Sequence, residues 1–205
     1  MDRKPLIALG TTRHHSRIAA RASQNVVLAA VLIVVAPFTR AQDSPPSEYQ
    51  LKAAFLFSFA KFVDWPPRSF ASQQSPFAIC ILGADPFGTA IDDTLRGKTI
   101  GEHPVVIERV KEPSNVRHCQ ILFISSAEKH RLAEILMALQ GANILIVGES
   151  EHFADSGGTI ELMLEQNHIR FAINTDAAES SGLRISSKLL ALAKVVHNPA
   201  ETGKN

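Results

Sequence analysis

The sequence is poor in aromatic residues and in cysteine, and it has no excess of either charge. Phe, Trp and Tyr make up 6% of its 205 residues, and 21 basic side chains offset 20 acidic ones to a formal net charge of +1. No run of Lys or Arg follows the segment that ends at Arg21. Without a basic face the electrostatic argument for nucleic-acid binding is missing, so we exclude nucleic acid as a partner.

The motifs that mark common catalytic and cofactor sites are also absent from the sequence. It contains no GxGxxG, no GxxxxGK[ST] and no HExxH. The GES sequence at 148–150 is followed by Glu151 and His152, where a serine-nucleophile elbow needs a second glycine. The histidines beyond the leader show no pair at metal-ligand spacing: His103, His118, His130, His152, His168 and His197. We therefore predict no metal site, no cofactor and no enzymatic activity.

The N-terminus has the pattern of an export signal. A basic leader precedes the apolar run Val26–Phe38, and Thr39-Arg40-Ala41 places small residues at the two positions that signal peptidase reads. The alternative is an uncleaved anchor, but the 13 apolar residues of that run fall short of the roughly 20 that span a bilayer. We predict a signal peptide over residues 1–41, cleaved after Ala41, and a periplasmic location.

Export changes how the two cysteines are interpreted. In an oxidising compartment an even count of two favours a disulfide between Cys80 and Cys119 over a metal site, the alternative being two buried free thiols. A disulfide closing this loop of 39 residues would stabilise the fold by about 4 kcal/mol in the chain-entropy model.

Alternating apolar runs and helical patterns predict the fold class. Unbroken apolar runs of strand length are typical of strands that are covered on both faces. We predict a single layered α/β domain with a mostly parallel central sheet, helices on both faces and a C-terminal antiparallel hairpin. The predicted organisation is a linker over 42–48, the domain over 49–197 and a disordered tail over 198–205. The strand-like runs are 77–83, 105–110, 119–125 and 142–150.

The aromatic residues are concentrated in the segment 51–67, which reads LKAAFLFSFAKFVDWPP. Ser47 precedes this helical pattern and marks the start of the predicted helix. Its helical period places four apolar side chains on one stripe, which we predict to face the core: Leu51, Phe55, Phe59 and Phe62. Phe57 projects from the opposite side on this pattern. We take Phe57 and Trp65 as candidates for contact with a partner or a second subunit, with ordinary core packing as the alternative.

The second half of the chain contains a hairpin pattern. Apolar and polar residues alternate in TIELMLE and HIRFAIN, which flank Gln166-Asn167. A tight turn at these two residues pairs Leu164 with Ile169, and the residues further from the turn pair in the same register. A short helix over 174–181 and a last helix over KLLALAKVV, capped by Ser186 or Ser187, are predicted to follow. Earlier in the chain, Asp85 is predicted to cap a helix over 86–95, the alternative being a ligand-binding residue after a strand. Helical spacing predicts another helix over 126–140, ended by Gly141.

The order of these segments resembles the YfiR/HmsC-like family of bacterial periplasmic proteins from Tyr49 to Val195. The segments that carry the resemblance are YQLKAAFLFSFAKFVDWP, FAICILGADPFG, CQILFIS, GGTIELMLE, HIRFAIN and GLRISSKLL. The resemblance implies a dimeric, non-catalytic repressor that acts on an inner-membrane diguanylate cyclase through the periplasmic sensor domain of that enzyme. Cyclic-di-GMP signalling and biofilm formation would be restrained in this way.

The resemblance also implies roles for particular residues. Cys80 and Cys119 match a disulfide position of the family, whereas a second cysteine pair found in some members near 154–162 is absent. A pocket for a small molecule or peptide in the C-terminal segment of the family maps onto Arg184 and Ser186, of which Arg184 suits a carboxylate. The alternatives to a cyclase repressor are a periplasmic small-ligand sensing module without a cyclase partner and an enzyme on the same fold.

Overall fold

A computed structural model describes residues 46–198, so the predicted signal peptide, most of the predicted linker and the residues after Asn198 lie outside the described part. The helices are α1 (Glu48–Lys61), α2 (Thr89–Leu95), α3 (Leu132–Ala138), α4 (Thr175–Ser180) and α5 (Ser187–Leu190), with 3₁₀ turns at Pro67–Ser69, Pro113–Asn115 and Ser126–Arg131. The strands are β1 (Val63–Asp64), β2 (Phe77–Leu82), β3 (Thr99–Ile100), β4 (His103–Val110), β5 (Ile121–Ile124), β6 (Leu145–Gly148), β7 (Ile160–Glu165), β8 (His168–Asn174), β9 (Arg184–Ile185) and β10 (Lys194–Val196).

The main sheet has eight strands in the order β10-β8-β7-β6-β5-β2-β4-β3. Neighbouring strands from β7 to β4 are parallel, as are β10 and β8, whereas β7–β8 and β3–β4 are antiparallel. A separate pair, β1 and β9, is antiparallel. The predicted α/β class with a mostly parallel sheet and a C-terminal hairpin is confirmed. The strand order reverses between β2 and β5, which is the topological switch point of such sheets.

Both faces of the sheet are buried, which explains the unbroken apolar strand sequences. Alternate residues of β2 point to opposite faces, so Ile79 and Ile81 belong to one core cluster and Cys80 and Leu82 to the other. Side chains of α1 and α2 cover the first face, and those of α3 cover the second. The sheet is therefore the middle of three layers.

Helix α1 begins as predicted but presents a different side to the core. Ser47 and Gln50 form a capping box, each side chain accepting a hydrogen bond from the other residue's backbone N–H. The buried positions of the helix are Lys52, Ala53, Leu56, Phe59 and Ala60. Leu51 and Phe55 of the predicted stripe are half-buried and pack against the core, and Phe59 is fully buried. The prediction is wrong at Phe62, which is 38% exposed. The helix packs against α2 as well as the sheet, and this second contact rotates the buried side.

The predicted hairpin is confirmed in its register. Ile160 pairs with Ile173, Leu162 with Phe171 and Leu164 with Ile169. The two turn residues have positive φ angles, 48° at Gln166 and 62° at Asn167, as a two-residue type I′ turn requires.

Three predicted helices differ from the structure. The helix after Asp85 begins only at Thr89, because the Asp85 carboxylate accepts hydrogen bonds from the backbone N–H groups of Phe87 and Gly88 and closes a turn first. The helical pattern over 126–140 divides into a 3₁₀ turn and α3. The last helix ends at Leu190, and β10 replaces its continuation because the open edge of β8 accepts a parallel strand.

The chain is also ordered one residue further than predicted. The backbone N–H of Asn198 donates to the Asp176 carboxylate at 2.8 Å, and the Asn174 amide donates to the Asn198 side-chain oxygen at 2.7 Å. The tail predicted from residue 198 therefore does not include Asn198. The remaining tail residues lie outside the described part.

Candidate functional site

Arg184 lines a cavity of about 320 Å³ between α4, β9 and α5. In β9 it lies opposite Asp64 of β1, and no acidic side chain within the described range comes within ion-pair distance of its guanidinium. Glu179 lines the same cavity and supplies one negative charge. The other lining residues are Thr175, Ala178, Gly182, Leu183, Ile185 and Leu190. We call this space the Arg184 cavity. The cavity therefore combines the Arg184 guanidinium, which has no ion-pair partner among the described residues, with a wall of polar and apolar side chains.

Ser186, the second predicted pocket residue, does not line the Arg184 cavity. Its hydroxyl accepts the N–H of Leu189 as the N-cap of α5, and its own backbone N–H donates to the carbonyl of Phe62 at 2.9 Å. Both bonds fix the start of α5 against the end of α1. The capping prediction for Ser186 is confirmed, and the structure places its side chain in a structural role.

Gly182 is a residue of this cavity that the sequence analysis missed. Its φ angle is +66°, and an added Cβ would lie 2.8 Å from both the Arg68 guanidinium and the Asn143 amide nitrogen. Asn143 in turn accepts from Arg68 Nε at 2.7 Å and donates to the carbonyl of Ser181 at 2.7 Å. Only glycine fits both the conformation and the close approach. A glycine directly after a predicted helix was the signal in the sequence. The sequence did not show that Arg68 and Asn143 pack against it.

Phe57 is half-buried and lies between two lysine side chains. The Nζ atoms of Lys61 and Lys98 are 4.4 Å and 5.3 Å from the centroid of its ring, and the ring also packs against the core. The expectation that Phe57 projects away from the core is therefore corrected, because α2 and the segment that follows it close over this side of α1. Its cationic flank is the part that a partner could reach.

Trp65, the other predicted contact residue, is half-buried and anchors the chain after α1. Its Nε1–H donates to the carbonyl of Ala60 at 2.9 Å, and its ring packs edge-on against Phe77 with centroids 5.2 Å apart. These two contacts fix the exit from α1 toward the first buried strand.

The predicted disulfide between Cys80 and Cys119 is present. It joins the middle of β2 to the residue pair just before β5 and is buried in the core of the second face. Within residues 46–198, the only cluster with metal-ligand geometry consists of these two cysteines and His118. The disulfide uses both thiols, so the cluster cannot coordinate a metal in this state.

A buried ion cluster lies at the carboxyl end of β6. Lys52 Nζ is 2.5 Å from a Glu48 oxygen and 2.6 Å from a Glu149 oxygen, and the side chains of Lys52 and Glu149 are 5% and 7% exposed. Burial lowers the pKa of Lys52, but the hydrogen bonds to the two carboxylates outweigh it and the pKa is raised. The i,i+4 spacing of Glu48 and Lys52 was a signal for half of this cluster.

Asp85 and Arg109 meet at the carboxyl ends of β2 and β4. Arg109 Nε donates to Asp85 at 2.9 Å and its terminal nitrogen to Asp92 at 2.6 Å. The hydrogen bond from Arg109 lowers the pKa of Asp92, and the aspartates raise the pKa of Arg109. The Asp85 oxygens are thus occupied by Arg109 and by the backbone N–H groups of a turn, which favours a structural role over ligand binding. The prediction that Asp85 caps the helix is wrong, because the N-cap of α2 is Gly88.

These features define a layered α/β domain with a disulfide-linked sheet and a cavity between α4, β9 and α5. Among residues 46–198, no helix combines the length and the apolar character that a membrane span needs. The sequence profile of the YfiR/HmsC-like family matches residues 49–194. The chain belongs to this family, whose members are periplasmic regulators of cyclic-di-GMP signalling rather than catalysts.

Solved structures with a similar backbone are distant in sequence. A conserved domain protein from Vibrio cholerae O1 biovar El Tor shares 11% identity with a TM-score of 0.50, over 73% of this chain and 60% of that one. The ABC domain from Streptococcus pneumoniae, solved in complex with L-Trp, shares 10% identity with a TM-score of 0.47, over 72% of this chain and 60% of that one. The chain therefore spans less than two thirds of either structure. The first similarity supports the α/β fold alone.

Proposed function

We propose that the protein is an exported repressor that binds the periplasmic domain of an inner-membrane diguanylate cyclase. The observation that carries the proposal is the family match over residues 49–194. Binding would hold the cyclase in its less active conformation, so that the regulator shifts a population without doing chemistry. Lower cyclic-di-GMP and restrained biofilm formation follow from this mechanism. The predicted signal peptide and a homodimeric state belong to the same proposal.

The second half of α1 is our proposed contact surface. Phe57 presents a ring flanked by two ammonium groups, and Phe62 at the end of the helix is 38% exposed. An aromatic ring with cations beside it suits a partner surface that is apolar at its centre and acidic at its rim. Trp65 would support this surface by fixing the chain that leaves α1.

Co-expression with the periplasmic domain of a candidate cyclase, followed by pull-down, tests the proposal. Phe57→Glu is expected to fold, because Lys61 and Lys98 can pair with the new carboxylate, and to lose the cyclase domain. Met137→Glu is the matched control, since Met137 is 64% exposed and lies in α3, which covers the opposite face of the sheet. Equal retention of the cyclase domain by both variants would remove α1 from the interface.

A second candidate function is the sensing of a small periplasmic ligand, and the Arg184 cavity favours it. Its volume of about 320 Å³ fits an amino-acid-sized molecule, and the guanidinium suits a carboxylate. A thermal-shift screen with amino acids and cell-wall fragments is expected to give a stabilising compound whose effect Arg184→Gln removes. Stabilisation that persists in Arg184→Gln would place the ligand elsewhere.

A further inference from the structure

Arg68 and Arg117 line the same two neighbouring cavities at the amino ends of β2 and β5. The larger cavity has a volume of about 460 Å³ and the smaller about 190 Å³. Arg68 belongs to the 3₁₀ turn Pro67–Ser69, and Arg117 precedes Cys119 of the disulfide. Two distant parts of the chain therefore place two arginines in the lining of the same cavities, which we call the two-arginine site.

The two-arginine site has positive charge without a counter-charge. No acidic residue lines either cavity, and within the described residues neither arginine forms an ion pair. The protein partners of the arginines are neutral: Arg68 Nε donates to the Asn143 side-chain oxygen at 2.7 Å, and Arg117 donates to the carbonyl of Ala138 at 3.5 Å. Each guanidinium carries five N–H donors, so most donors here stay available. Both arginines are exposed, so their free donors are open to an anion in these cavities.

A second observation points to a ligand at the same wall. Ser69 lines both cavities, and its Oγ is the one enclosed side-chain polar atom of the described residues without a hydrogen-bond partner. Rotation about one torsion can turn a serine hydroxyl toward an acceptor. Its neighbour Gln120 is buried and fixed, because its oxygen accepts the N–H of Ala78 at 2.7 Å and its amide donates to backbone carbonyls. The wall is thus rigid and retains an unused donor.

The larger cavity also has an apolar side. Phe70 lines it and stacks on the imidazole of His103, with ring centroids 3.9 Å apart and planes 7° from parallel. Ala71 and Pro76 extend this side. A ligand that combines an anionic head with a flat apolar body would therefore meet both kinds of surface.

We propose that the two-arginine site binds the phosphate group of a small phosphomonoester. Such a group carries a charge of about −1.5 to −2 at neutral pH and three acceptor oxygens. It can accept paired hydrogen bonds from two guanidinium forks and a third from the Ser69 hydroxyl, whereas a single carboxylate has only two oxygens. The volume of about 460 Å³ lies in the range of small-molecule sites. The proposal does not depend on the cyclase partner, because it uses a different part of the molecule.

Isothermal titration calorimetry of the purified protein with phenyl phosphate at low ionic strength tests this site. We expect a dissociation constant below about 1 mM and a loss of affinity of about tenfold or more in Arg117→Gln, since a charged hydrogen-bond donor is removed. Arg117→Lys should recover part of the affinity. Arg170→Gln is the matched control, because Arg170 is exposed on β8 and lines neither cavity.

Titration with benzoate distinguishes a phosphate site from a carboxylate site, because benzoate keeps the aromatic ring but carries only one negative charge. We expect it to bind at least about tenfold more weakly than phenyl phosphate. Equal binding of benzoate would overturn the assignment to phosphate. Absence of phenyl phosphate binding, or equal losses in Arg117→Gln and Arg170→Gln, would overturn the site itself.

Discussion

At the scale of single residues, Lys52 shows how a buried charge is compensated by neighbouring carboxylates. Its ammonium contacts Glu48 and Glu149 and lies 4.8 Å from the centroid of the Tyr49 ring. Burial is the main cause that raises the pKa of Tyr49, and the Glu149 carboxylate adds to it. Removal of one member of a buried ion cluster leaves its partner desolvated and uncompensated. The cluster thereby fixes the start of α1 to the carboxyl end of β6.

We predict that Lys52→Met lowers the free energy of unfolding by about 3–5 kcal/mol at neutral pH, measured by urea denaturation. Lys61→Met, a change in an exposed lysine of the same helix, should have little effect. The double variant Lys52→Met/Glu149→Gln should recover most of the loss, because no buried charge then lacks a partner. A double variant as unstable as Lys52→Met alone would contradict this explanation.

The pH dependence of stability follows from the raised pKa of Lys52. A lysine whose pKa is raised on folding contributes stability that is fully present below its unfolded value, about 10.4. That contribution is lost as the pH rises through the folded-state pKa. The gap in unfolding free energy between the wild type and Lys52→Met should therefore narrow above about pH 10.4, and a constant gap would contradict the assignment.

At the scale of elements, the β7–β8 hairpin is specified by its own residues. Alternation places Ile160, Leu162 and Leu164 on one face, and the turn allows one register. Yet Gln166 adopts a φ of 48°, which suits asparagine or glycine better than glutamine. A residue that tolerates this conformation better should therefore stabilise the turn.

We predict that Gln166→Asn raises the free energy of unfolding by about 0.5–1 kcal/mol, because asparagine tolerates the left-handed conformation. Chemical denaturation measures the change. Gln140→Asn, at the end of α3 where the φ of the residue is not positive, is the control and should not stabilise the protein. A neutral or destabilising result at position 166 would contradict the turn assignment.

Local patterns predicted elements well, whereas contacts between elements were out of reach. The hairpin register, the Ser47 cap and the buried strands follow from spacing within a few residues. The buried side of α1 does not follow from local spacing, because it depends on how α2 packs against the helix. Lys52 is buried because it contacts Glu149, which lies 97 positions away. The strand β10 was predicted as helix since the helical propensity of LLALAK could not reveal the free edge of β8. The two-arginine site likewise depends on a 3₁₀ turn meeting a distant loop.

At the scale of the whole molecule, the disulfide links the central sheet across 39 residues of chain. Cys80 and Cys119 connect β2 and the start of β5, the two strands at the switch point. Cys119 lines the smaller cavity of the two-arginine site, and both cysteines belong to the core of the second face. It restricts the unfolded chain more than it adds contacts to the folded one.

We predict that reduction, or the variant Cys80→Ser/Cys119→Ser, lowers the free energy of unfolding by about 4 kcal/mol. Urea unfolding with and without reductant gives the measurement. The reductant should have no effect on the double variant. An equal stability of the oxidised and reduced wild type would show that the bond does not form in solution.

The central claim is that the protein restrains cyclic-di-GMP synthesis by contact with a cyclase in the periplasm. Measurement of cellular cyclic-di-GMP in the bacterium that makes the protein, before and after deletion of its gene, tests the claim most directly. We predict that the level rises on deletion and falls again when the full chain is restored, but not when a chain without residues 1–41 is supplied. A level unchanged by deletion, or restoration by the chain without its leader, would contradict the claim.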